Sequence, residues 1–121
     1  MQERIEPQRI PVKLYRTADM ITVAAPMPGL EAENVSAEVT ASGRLVMWGA
    51  LRAALKDAKE LLVDEWSVGP YHRDIELPGA VDGEAGVVTY GNGVVVVALP
   101  VAPRTRPARL RPTKHRHGSG A

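Results

Sequence analysis

Alternation of apolar and polar residues is the feature that most constrains how this chain can fold. Residues 35–39 read VSAEV, with every second side chain apolar, which is the period of a strand that buries one face. The same pattern recurs in six further segments, at residues 12–14, 21–25, 45–49, 71–77, 87–90 and 94–99. About seven short strands separated by turns predict an all-β protein, folded as a single antiparallel sandwich.

Two local signals refine this prediction around residue 92. The dipeptide Asn92-Gly93 separates two of the segments and favours a type I′ hairpin, which requires positive φ at both central residues. Residues 94–97 are four consecutive valines. Because such a run is apolar on both faces, we expect it to lie inside the fold, between layers.

The stretch from residue 50 to residue 62 breaks the alternation. Its apolar residues recur at helical spacing at Leu51, Leu55, Ala58 and Leu62. A short amphipathic helix from about residue 50 to residue 60 is one prediction. A long loop that ends in a short strand at residues 61–63 is the alternative, and periodicity does not distinguish the two.

Charge is distributed unevenly along the chain. Residues 104–121 contain six basic residues and no acid, whereas residues 1–103 contain nine basic and all 14 acidic side chains. The C-terminal segment also contains Pro, Gly and Ser and little apolar surface, so we expect a flexible, solubilising tail. The predicted organisation is a short arm at 1–11, a sandwich at 12–102 and a basic tail at 103–121.

The sequence offers little for catalysis or for a cofactor. It contains no cysteine, no Gly-x-Ser-x-Gly motif and three histidines, His72, His115 and His117. Two of these histidines lie in the tail, where they would make a poor metal site. Asp74 and Glu76 are expected on a solvated strand face. We therefore predict a protein that is not an enzyme and has neither metal nor cofactor.

Location and partners follow from similar arguments. Residues 1–9 lack the apolar stretch of a secretory signal, and no segment reaches the ~18 apolar residues of a membrane span. We expect a cytoplasmic protein that does not bind membranes. Six cations could bind nucleic acid or another anionic surface, but the tail has no aromatic residue on which bases could stack. We therefore do not expect nucleic acid as a partner.

Four motifs, in order and at matching spacing, resemble the α-crystallin domain of the small heat-shock proteins. They read DMITVAAPMPG, LVMWG, GPYHRDIELP and VTYGNGVVVVALP, at residues 19–29, 45–49, 69–78 and 88–100. Within about residues 10–102 the resemblance implies an immunoglobulin-like β-sandwich. It also implies an ATP-independent chaperone, or holdase, that binds partly unfolded proteins, prevents their aggregation and acts in the stress response.

The chain departs from the family pattern in three places. Val88 stands where the family has alanine and Val95 where it has leucine, and the N-terminal arm is short. The Ile-x-Ile/Val motif of the family's C-terminal extension, which docks into a neighbour's groove, has its nearest equivalent in residues 108–110, Ala-Arg-Leu. These departures favour a homodimer over a large oligomer.

The resemblance also implies two sets of site residues. A groove for client proteins would be lined by Val35, Val39 and Val88, although each of these valines could equally be ordinary core. A dimer interface would contain Arg73, with Asp64 or Glu65 as its acidic partner; a solvated surface arginine is the alternative. Strand exchange between subunits would use the segment Leu61, Leu62 and Val63.

Two other functions remain open at this point. One is a co-chaperone of the CS-domain type, which shares the sandwich but acts as a monomer on a specific partner. The other is a family-derived adaptor that has kept the fold and lost general holding activity.

Overall fold

The computed structural model describes residues 7–50, 62 and 69–113. Within these residues the strands are β1 (Gln8–Arg9), β2 (Lys13–Arg16), β3 (Met20–Pro26), β4 (Val35–Val39), β5 (Arg44–Gly49), β6 (Tyr71–Glu76), β7 (Val87–Gly91), β8 (Val94–Pro100) and β9 (Ala108–Leu110). Short 3-10 turns at Ala32–Asn34 and Gly83–Ala85 precede β4 and β7.

The strands form two sheets. One sheet has five strands in the order β1-β6-β5-β4-β9, and the other has four in the order β2-β3-β8-β7. Neighbouring strands are antiparallel except β1 and β6, which run parallel. The predicted all-β sandwich is confirmed.

The alternation in the sequence explains where the core lies. In β3, Ile21, Val23 and Ala25 are buried while their neighbours are partly exposed, and β4 shows the same pattern. The inward residues of the two sheets meet in one cluster. Such a core is stabilised by removing apolar surface from water, at about 25 cal/mol per Å².

The hairpin prediction is confirmed and the burial prediction beside it is wrong. Asn92 and Gly93 have φ values of 51° and 77°, as a type I′ turn requires. Of the four valines, Val95 and Val97 are fully buried, but Val94 is 37% exposed. A two-layer sandwich covers only one face of each sheet, so the outward valines of β8 face solvent.

The loop between β3 and β4 is held by a tyrosine hydroxyl and a glycine. The Tyr90 hydroxyl donates to the Met27 carbonyl at 2.6 Å and accepts from the Leu30 N–H at 3.2 Å. Gly49, at the end of β5, makes room for the same loop. A Cβ there would lie 2.6 Å from Leu30 Cδ1 and 2.7 Å from Met27 Sδ, so Gly49 allows this close packing.

Two expectations about chain segments have different outcomes. The helix or loop expected around residues 50–62 falls almost entirely outside the described residues. The prediction of a flexible tail from residue 103 is wrong for residues 108–110, because they form β9 on the outer edge of β4. A segment with few apolar residues is ordered here because an edge strand supplies backbone partners for it.

Candidate functional site

The outer edge of β4 is the part of the fold that receives an extended segment. Strand β9 lies antiparallel to β4, with Ala108 opposite Val39 and Leu110 opposite Ala37. Ala108 and Leu110 are half-buried, and the intervening Arg109 is exposed. A backbone ladder with alternate side chains directed at a core is the way a sheet edge recognises a strand.

The three valines expected to line a groove are all buried. Val35 and Val39 are 0% exposed and Val88 is 2% exposed. Two of them adjoin the C-terminal segment, because Val39 pairs with Ala108 and Val88 bridges to Pro112. Val35 lies beyond the part of β4 that pairs with β9. The space between β4 and β7 is therefore occupied by residues 106–113 of the same chain.

Arg106 fixes the start of this segment. Its N–H donates to the Val81 carbonyl at 2.9 Å, and its carbonyl accepts from the Gly83 N–H at 2.7 Å. Its guanidinium lies 3.9 Å from Asp82 Oδ1 and 3.3 Å from Glu84 Oε1. These ion pairs are largely exposed and contribute little individually, so the two backbone hydrogen bonds provide most of the attachment.

The turn at Gly83–Ala85 provides the seat for Arg106. The Asp82 side chain accepts from the Glu84 N–H at 3.0 Å and caps this turn. A Cβ on Gly83 would lie 2.5 Å from the Arg106 carbonyl oxygen, so the approach requires glycine at this position. Sequence reasoning missed this seat. The only signal in the sequence was that the acids Asp82 and Glu84 flank Gly83, while residues 104–121 carry basic residues that could pair with them.

The opposite edge of the five-stranded sheet is also covered by the chain itself. Strand β1 pairs with β6 through Gln8–Tyr71 and Arg9–His72. The Arg73 guanidinium donates from Nη1 to the Ile10 carbonyl at 2.8 Å, and its buried Nε has no partner among the described residues. Arg73 thus holds the N-terminal segment that follows β1.

The remaining predicted interface residues are only partly described. The acids proposed as partners of Arg73, Asp64 and Glu65, lie outside the described residues, as do Leu61 and Val63. Leu62 is described and is 82% exposed. His115 and His117 also lie outside the described part. In the part that is described, no helix is long and apolar enough to span a bilayer.

Two packed, largely antiparallel sheets, with a core of alternating aliphatic residues and an edge that binds an extended C-terminal segment, define the class: an α-crystallin-type β-sandwich. A family model described as the Hsp20/alpha crystallin family matches residues 13–113. The chain belongs to this family, the small heat-shock proteins. Membership supports a chaperone-type role.

Curated relatives match over most of the chain. The "18 kDa antigen" of Mycobacterium leprae is 24% identical over 112 residues, which cover 93% of this chain and 74% of the relative. The "18 kDa antigen 1" of Mycobacterium avium is 26% identical over 111 residues, covering 92% of this chain and 74% of the relative.

Solved structures share the fold at low sequence identity. Heat shock protein 16.0 from Schizosaccharomyces pombe superposes with a TM-score of 0.66 at 21% identity, covering 83% of this chain and 71% of that one. The hspA structure from Xanthomonas axonopodis gives a TM-score of 0.64 at 19% identity, covering 83% of this chain and all of that one.

Proposed function

We propose that this protein is a non-enzymatic, ATP-independent holdase. It binds extended apolar segments of partly unfolded proteins and so prevents them from aggregating. Family membership supports this role. The observation that carries it is the pairing of β4 with a strand only three residues long, Ala108–Leu110. An edge that accepts so short a strand presents backbone groups and apolar side chains that a client strand can use in its place.

A client would bind by replacing β9. The Ala108 methyl group and the Leu110 side chain are the two apolar contributions of β9 to the sandwich. A client strand with larger side chains at these two positions buries more apolar surface, and a longer strand adds backbone hydrogen bonds worth about 1 kcal/mol each. No nucleotide is needed, because the client competes with β9 at equilibrium.

Replacement of β9 by a client strand would give each of the three groove valines a contact with the client. Val39 and Val88 would contact the client once residues 106–113 have left, and Val35 would extend the groove along β4. The same reasoning makes the C-terminal segment a competitor of every client. Its attachment through Arg106 therefore sets how strongly a client must bind to be held.

The direct test is protection of several unrelated proteins against heat-induced aggregation, followed by light scattering at near-stoichiometric ratios. We expect protection without ATP. A synthetic peptide of residues 104–113 in excess should reduce it, because the peptide competes for the β4 edge, whereas a peptide of scrambled sequence should not. If no client is protected, holding is wrong although the fold stands, and a family-derived adaptor becomes the better interpretation.

We further propose that the protein is cytoplasmic and forms a homodimer, with Arg73 and residues 61–63 at the interface. Sedimentation velocity tests the assembly. We expect a dimer, and we expect Arg73→Ala to weaken it. Unchanged dissociation in Arg73→Ala would contradict the interface role, and a monomeric wild-type chain would favour a co-chaperone of the CS-domain type.

A further inference from the structure

A cleft of about 360 Å³ lies on the outer face of the five-stranded sheet, away from the inward side of β9. Its walls include Trp48 from β5 and two arginines of the C-terminal segment, Arg109 and Arg111, while Ser36 and Glu38 of β4 contribute polar groups. Clefts of a few hundred Å³ with a few convergent polar groups are the size that small ligands and single bases occupy. Its chemistry differs from that of the strand-binding edge.

The strand register aligns these groups across the sheet. Ser36 lies opposite Trp48, and Trp48 lies opposite His72, which in turn pairs with Arg9. Arg111 follows Leu110, the last residue of β9, and lines the cleft together with Ser36. We call these five residues the Trp48 row; the positions in it that pair across strands are about 4.8 Å apart.

The Trp48 row is cationic. It contains two arginines, a histidine, a hydroxyl and an indole, and no acid. In the adjacent row of the sheet, Asp74 is neutralised by an ion pair of 2.7 Å with Arg44. Glu38 lies opposite Arg109 and is the acid that lines the cleft.

Trp48 supplies the aromatic surface that the basic segment itself lacks. It is 38% exposed, and its ring centroid lies 6.2 Å from that of His72, with the rings inclined by 56°. Exposed aromatic rings on a sheet, flanked by arginines, form the platform on which proteins stack unpaired bases while cations bind the phosphates. An acidic peptide would form ion pairs with the arginines, but its carboxylate side chains would not supply a ring that stacks on the indole of Trp48.

We propose that the cleft binds single-stranded nucleic acid. A base stacks on Trp48, and Arg109 and Arg111 bind the adjoining phosphates. The Glu38 carboxylate accepts a hydrogen bond from an exocyclic amino group, as acidic side chains do with cytosine. The site therefore prefers cytosine, whose amino group donates, to thymine or uracil, which present a carbonyl oxygen at the same position.

The binding experiment uses the fluorescence of Trp48. Trp48 and Trp66 are the only tryptophans, so the full-length Trp66→Phe chain reports on Trp48 alone. We expect twelve-residue oligocytidylate to quench this emission at low salt and oligothymidylate to bind several-fold more weakly. Deoxyribose and ribose forms of oligocytidylate are titrated in parallel. Quenching by either form supports the proposal and identifies the favoured nucleic acid.

Variants assign the contacts, with a labelled oligocytidylate and fluorescence anisotropy as the readout. Trp48→Leu should weaken binding about fivefold or more, the usual effect of removing a stacking ring. Arg109→Gln/Arg111→Gln should make the slope of log affinity against log salt shallower by about 1.4, for two phosphate contacts on a single strand. The control Arg16→Gln/Arg104→Gln makes the same change in net charge at residues that do not line the cleft and should leave that slope as it is.

Four results would overturn the proposal. One is binding that leaves Trp48 emission unchanged. Another is equal affinity in the Arg109/Arg111 variant and its control. A third is loss of binding in Lys114→Gln/Arg116→Gln alone, which would assign binding to the chain end rather than to the cleft. The last is equal quenching by polyglutamate, which would make the site a general anion or acidic-peptide site.

Discussion

Replacing Gly83 by alanine should release the C-terminal segment from the edge of β4. A Cβ at this position would lie 2.5 Å from the carbonyl oxygen of Arg106 and 3.2 Å from the Ala108 amide nitrogen. Both atoms belong to backbone and cannot rotate away as the end of a side chain could. The new methyl group also approaches Val39 Cβ to 3.0 Å, so the core has little room to absorb it.

The size of the effect follows from the bonds that the shift breaks. The segment loses the hydrogen bond from the Gly83 N–H to the Arg106 carbonyl and the one from the Arg106 N–H to the Val81 carbonyl. Each contributes about 1 kcal/mol. The exposed ion pairs of Arg106 add only a fraction of that. A loss of about 2 kcal/mol raises the fraction of molecules with an undocked segment roughly 30-fold.

Amide hydrogen exchange measures this directly. In Gly83→Ala, the Arg106 amide should exchange about 30-fold faster, while amides in β8, which pairs with strands on both sides, should change less than about threefold. The control is Gly79→Ala, because a Cβ on Gly79 meets nothing within 4 Å. Unchanged protection of Arg106 would refute the steric argument. Equal acceleration in β8 would show global destabilisation instead of local release.

Two further substitutions test the loop between β3 and β4. Tyr90→Phe leaves the Met27 carbonyl and the Leu30 N–H without their shared partner, so urea unfolding should show a loss of about 1–3 kcal/mol; an unchanged midpoint would mean that water replaces the hydroxyl. Gly49→Ala forces a methyl group against Leu30 and Met27 and should cost about 1–3 kcal/mol in the same assay, whereas Gly91→Ala, with open space around its Cβ, should cost less.

The main strands could be predicted because they follow a simple rule. β3, β4 and β8 each place alternate residues in the core, and this alternation is visible in the sequence itself. Strands β1 and β9 could not be found in this way. They are two and three residues long, and a strand that short has no period. They adopt a regular structure because they pair with β6 and β4, strands that come from distant parts of the chain.

The apolar character of positions in the candidate site could be predicted from the sequence, but the segment that covers them could not. Val39 and Val88 were recognisable as apolar positions on strands, and the family resemblance implied a groove beside them, but a pattern of alternation does not reveal what covers them. The covering segment follows a proline-containing basic stretch that composition classes as flexible. Its order depends on the seat at Gly83, a property of three-dimensional contact. Trp48 was visible in the sequence, but its proximity to Arg109 and Arg111 depends on β9.

Among the described residues, β1 and β9 are the first and last strands, and they form the two borders of the five-stranded sheet. Segments from opposite ends of the described chain thus border one sheet, whereas β2 and β7 border the other. A peptidase that removed β9 would take away the half-buried Leu110 and expose the main-chain groups of β4 that pair with it, which leaves an unpaired sheet edge open to other strands. Limited digestion would therefore be an irreversible way to give the domain a strand edge that pairs with other chains.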